Sequence, residues 1–96
     1  MSLTSVVQAH KEQIRKIVSA HHATNVRIFG SVLRGEDIAT SDLDLLIDPT
    51  EKMSLMDVGA IRHELKSLLG VNVDVLTPGA LPDSFRDKVL KEATRI

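Results

Sequence analysis

Cysteine, tryptophan and tyrosine are all absent from the 96 residues. Without thiols there can be no disulfide, no cysteine nucleophile, and no zinc-ribbon or iron–sulfur ligand set. Phe29 and Phe85 are the whole aromatic complement. That is too little for a platform on which single-stranded nucleic acid could stack. Neither sign of charge is in excess, with 12 Lys and Arg against 13 Asp and Glu and a formal net charge of −1. This balance argues against bulk electrostatic binding of nucleic acid and against a polybasic membrane binder. No apolar run approaches the roughly 20 residues of a membrane span. Met1-Ser2-Leu3-Thr4 lacks the basic-then-apolar order of a secretory signal. A cytoplasmic chain with no membrane partner is the expectation.

What is present suits a folded core, since 43% of residues are hydrophobic. The length accommodates one domain, residues 1–96. Residues 3 to 22 read as a helix, because Val7, His10, Ile14, Ile17, Val18 and His21 recur at helical spacing. Val26-Arg27-Ile28-Phe29 alternates as a strand ending at Gly30. Residues 31–34 suggest a helical turn and residues 35–41 a loop. Leu43 to Ile47 forms a second strand, closed by a turn at Asp48-Pro49. Ser54 and Asp57 have capping-box spacing. The helix they open should bury Leu55, Val58, Ile61, Leu65, Leu68 and Leu69 and end at Gly70. Residues 71–76 alternate as a third strand, Thr77-Pro78-Gly79 turns the chain, and a last helix starts at Leu81-Pro82-Asp83. Phe85, Val89 and Leu90 should dock that helix. The order α-β-α-β-α-β-α is a small α/β (α+β) layer fold.

The chemistry gathers on the strands, where carboxylates are ordinarily scarce. Asp42 and Asp44 are two residues apart and so share a strand face, with Leu43 and Leu45 on the other. Asp74 alternates with Val73 and Val75. It joins the same face if the third strand lies beside the second. Massed carboxylates call for a cation, and an all-oxygen set without His or Cys favours Mg²⁺ over zinc. Gly30-Ser31, at a strand end, offers backbone amides and a hydroxyl to a phosphate tail. Gly30 to Gly35 has Walker-loop spacing, but Glu36-Asp37 replaces the Lys-Ser/Thr that a Walker loop needs. No G-x-G-x-x-G is present. His10 and His21 read as packed on the first helix and His63 as outward-facing. Neighbouring His21 and His22 point apart on a helix and make no metal motif.

Gly30-Ser31, ten residues, then Asp42-Leu43-Asp44 resembles the signature of the DNA polymerase β-like nucleotidyltransferase superfamily. The fuller strings Gly30 to Gly35 and Ser41 to Leu46 look like its minimal (MNT) branch, whose members pair with HEPN proteins in toxin–antitoxin modules. The resemblance covers about residues 24 to 92. It implies a mixed three-stranded sheet flanked by helices. It also implies two Mg²⁺ ions on Asp42, Asp44 and Asp74, and ATP as substrate. Gly30 and Ser31 would bind the β- and γ-phosphates, and Asp74 could help deprotonate an attacking hydroxyl. Arg34 and Ser41 are further candidate nucleotide contacts. Arg34 could instead pair with Glu36 or Asp37, and Ser41 could be a loop hydroxyl. The implied activity is AMP transfer to a tyrosine of a partner HEPN ribonuclease. The alternatives are an antitoxin or regulatory module that neutralises by contact, and the catalytic subunit of an aminoglycoside-type enzyme. A homodimer or hetero-oligomer fits so small a core.

Overall fold

Val7, Ile14 and Val18 form the buried stripe that helical spacing predicts, but two helices carry it, α1 (Leu3–Ala9) and α2 (Lys11–Ala20). The break is at His10, whose backbone sits at φ −114°, ψ 16°. Its ring Nδ1 donates to the Val6 carbonyl at 2.9 Å, in competition with the helical ladder. This computed structural model describes residues 3–30 and 42–96, excepting the side chains of Leu3 and Thr4. The turn and loop expected at 31–41, with Ser31, Arg34 and Ser41, lie outside the described residues.

Strand β1 (Ala23–Phe29) is longer than the alternation suggests, because a bulge interrupts it. Asn25 has φ +52°, and the register to the next strand slips between Thr24 and Arg27. That extra residue lets Ala23, Val26 and Ile28 all enter one core. Strand β2 (Leu43–Pro49) runs antiparallel to β1, and β3 (Val73–Leu76) runs parallel to β2. Between them α3 (Leu55–Leu69) makes the crossover. A 3₁₀ turn at Pro78–Ala80 leads to α4 (Asp83–Glu92) and to a two-residue strand β4 (Thr94–Arg95). The sheet is therefore four-stranded, in the order β3-β2-β1-β4, and not three-stranded as expected. Thr94 and Arg95 are exposed and too short to show a period, so β4 leaves no mark in the hydrophobic pattern.

The sheet has two unequal apolar faces. Leu43, Leu45, Ile47, Val73 and Val75 meet α1, α2 and α3 through Val7, Ile14, Val18, Ile61 and Leu65. On the other face a smaller cluster joins Phe29, Leu46, Leu81 and Val89. Ile96 is buried in the larger core, and its carbonyl accepts from Arg15 Nε at 3.0 Å and Nη2 at 2.6 Å. Three expected core positions are exposed instead: Leu55 at 89%, Phe85 at 42% and Leu90 at 38%. Leu55 is the first residue of α3, and the buried face of that helix starts farther along, at Ile61, Leu65 and Leu69. In α4 the contact with the sheet is made by Val89, with Leu81 just before the helix. Asp48 is not a turn residue: it lies within β2 and accepts from Arg27 Nη2 at 2.6 Å and Asn25 Nδ2 at 2.9 Å.

The capping box at Ser54 is formed, with the Asp57 amide on Ser54 Oγ and the Ser54 amide 2.9 Å from Asp57 Oδ2. The helix closes at Gly70, φ +71°. The Ser54 amide, as the largest cause, lowers the pKa of Asp57, with help from His22 and His21. A carboxylate with a lowered folded-state pKa stabilises the fold above its ordinary range, and that contribution is lost as pH falls through the lowered value. Thermal unfolding followed from about pH 5 to pH 2 should show a shallower acid limb in Asp57→Asn than in the parent chain. Ser54→Ala should lower unfolding free energy by about 1 kcal/mol in urea titration, with the m-value unchanged.

Candidate active site

Phe29 is paired with Asp44 across β1 and β2, and Asp44 with Asp74 across β2 and β3. The register thus draws the end of β1 and the starts of β2 and β3 to one end of the sheet. Leu43, Leu45, Val73 and Val75 all point into the larger core. By alternation Asp44 and Asp74 then share the opposite face, on strands about 4.8 Å apart. Asp44 is half-buried and Asp74 exposed. Asp42, just ahead of β2, is exposed. The condition on which the sequence reading depended, β3 beside β2, is met.

Gly30 follows β1 beside Asp44, on the side of β2 away from Asp74. Its φ of +81° is in the region that side chains avoid. A Cβ placed there would overlap Asp44 Oδ2 and lie 3.3 Å from Asp44 Cγ. Glycine is required twice at this point, for the turn and for the approach of backbone to carboxylate. Sequence spacing marks Gly30 as a strand end, but only the structure shows that Asp44 is what it accommodates.

The donor set is all carboxylate, which suits a hard divalent cation. Among the described residues no three His, Asp or Glu side chains converge tightly enough to coordinate an ion as they stand. Asp44 and Asp74 share one face at this end of the sheet, and Asp42 stands just ahead of β2. A second titratable group lies at the α2–α3 seam, where His21 meets Glu64 through Nε2 and lies 3.6 Å from Asp57 through Nδ1. The two ring nitrogens face different carboxylates, so this cluster ties the helices together and shares no ligand vertex. Concavities of about 390 and 320 Å³ lie elsewhere, one lined by Arg15, Thr24 and Arg95 and the other by Pro49, Leu55 and Leu76.

The nucleotidyltransferase domain family matches residues 11–96. The chain is similar to a solved structure described as a "putative minimal nucleotidyltransferase", at 38% identity and TM-score 0.88, covering 100% of this chain and 97% of that one. It is 31% identical over 94 residues to "Protein adenylyltransferase MntA" of Thermococcus cleftensis, covering 98% of this chain and 92% of the relative. The crystal structure of the toxin–antitoxin MntA-HepT shares the fold at TM-score 0.68 and 16% identity, covering 92% of this chain and 69% of that one. With the paired aspartates, the glycine against Asp44 and a family match over residues 11–96, this chain belongs to the nucleotidyltransferase domain family.

Proposed function

We propose that this chain transfers AMP from ATP to a hydroxyl, and that the acceptor is a tyrosine of a partner HEPN ribonuclease, which is silenced by the modification. The reading rests above all on Asp44 and Asp74 in register on adjacent parallel strands, with Gly30 against Asp44. The similarity to a protein adenylyltransferase supports transfer to protein, and the shared fold with MntA-HepT supports a toxin–antitoxin setting. The 96 residues contain no tyrosine, so a tyrosyl acceptor lies outside them.

Asp42, Asp44 and Asp74 would hold Mg²⁺. When bound, the metal would offset the charge of the triphosphate and favour departure of pyrophosphate. Gly30 lets the backbone pass close to Asp44, and Gly30 with Ser31 would bind the β- and γ-phosphates. Asp74 is the half of the pair on the sheet edge, where an incoming hydroxyl can approach. Its carboxylate orients that hydroxyl and takes its proton as the oxygen bonds to the α-phosphorus. The bond from the α-phosphorus to the bridging oxygen breaks, and pyrophosphate carries away the electron pair. Holding the acceptor in line is the main contribution of the protein frame.

ATP labelled at the α-phosphate should transfer label to a partner protein with Mg²⁺, whereas γ-labelled ATP should transfer none. Asp44→Asn should reduce the transfer by roughly 100-fold or more, the scale of losing several kcal/mol of charge stabilisation. Should a partner be inhibited equally by Asp44→Asn and by the parent chain, neutralisation is by contact and the transfer reading fails. Gly30→Ala should lower transfer at least about 10-fold while the circular dichroism spectrum stays unchanged, because the added methyl displaces the Asp44 carboxylate. Full activity in that variant would contradict the role given to Gly30.

A further inference from the structure

Strand β3 is the weakest-held part of the candidate site. It has four residues, lies at the end of the sheet, and among the described residues pairs only with β2. In a parallel ladder alternate residues turn their backbone groups to the neighbour, and those between turn away. The Leu43 amide donates to the Asn72 carbonyl at 2.9 Å, so the groups of Asn72 and Asp74 face β2 and those of Val73 face outward. Among the described residues no strand lies beyond β3 to receive the Val73 carbonyl. Arg62 of α3 receives it instead, with Nε donating to that oxygen at 3.2 Å. This carbonyl belongs to the peptide unit that joins Val73 to Asp74.

We infer that Arg62 is a positioning residue for Asp74, clamping the Val73–Asp74 peptide against the crossover helix so that the edge carboxylate stays in register with Asp44. The inference rests on the reading of Asp74 as a site carboxylate. Asp44 and Asp74 carry like charge in directly paired positions, which opposes the pairing of β2 with β3. Four residues of edge strand offer little to resist that, and the bond from Arg62 ties the peptide to a 15-residue helix. The rival role is that Arg62 covers a sheet edge and has no bearing on Asp74.

Glutamine places an amide nitrogen the same number of bonds from Cα as Arg Nε, whereas methionine keeps a similar stem and no donor. Arg62→Met should weaken Mn²⁺ binding by roughly 10-fold in calorimetry, and should speed hydrogen exchange at the Asp74 amide by a similar factor. Arg62→Gln should restore both to within about twofold of the parent. Combined with Asp74→Asn, Arg62→Met should cause no further loss of Mn²⁺ affinity, since the two act through one carboxylate. An undiminished 10-fold loss on the Asp74→Asn background would indicate simple edge covering and overturn the inference. So would parent-like behaviour of Arg62→Met in both measurements, or equal losses in the Met and Gln variants. If the parent chain takes up no Mn²⁺, the metal-site reading fails, while the exchange rate at Asp74 still decides whether Arg62 holds that peptide.

Discussion

Two aspartates in direct register on adjacent parallel strands are an arrangement that a sheet normally avoids, and much of the structure serves to hold them there. Like charges facing one another across a ladder destabilise it. Asp44 and Asp74 nevertheless share one face of the β2–β3 pair. The opposing force is apolar: the residues that alternate with them, Leu43, Leu45, Val73 and Val75, are buried under α2 and α3. A one-residue slip of β3 would separate the carboxylates, but it would also turn Val73 and Val75 out of the core. The core therefore fixes the register, and the register fixes the site.

The rest of the sheet divides the same way. The face toward α1, α2 and α3 is sealed by the larger core. The other is apolar only where Phe29 and Leu46 meet Leu81 and Val89. Beyond Phe29 the chain reaches Gly30, which lies against the Asp44 carboxylate. Asp48, farther along the same strand, is neutralised within the fold by Arg27 and Asn25. Carboxylates on one strand thus take different roles because of what each neighbouring strand places opposite them.

Much of this was legible in the sequence because strand alternation is a local property. Asp42, Asp44 and Asp74 could be assigned to faces from their spacing alone, and Gly30 to a strand end. The adjacency of β2 and β3 is a tertiary fact, which spacing could state only as a condition. The bulge at Asn25 depends on a left-handed backbone that no hydrophobic period reports. Strand β4 was illegible because two exposed residues carry no period, and its place is fixed by the burial of Ile96 and the clamp from Arg15. Leu55 shows the opposite error, since an apolar residue in the first turn of a helix need not face the core, and this one is 89% exposed. Arg62 gave no sequence signal because its partner is a backbone carbonyl.

The central claim is that the carboxylate end of the β2–β3 pair receives the metal-bound nucleotide. Its most direct test is paramagnetic broadening of backbone amide resonances as Mn²⁺ is titrated into the ¹⁵N-labelled chain with a non-hydrolysable ATP analogue. The account predicts that the amides of Phe29, Gly30, Asp42, Leu43, Asp44 and Asp74 broaden first, while those of Pro49-flanking Asp48 and Thr50, and of Thr77, persist. Broadening that begins instead around His21, Asp57 and Glu64 would place the metal at the α2–α3 seam and contradict the account.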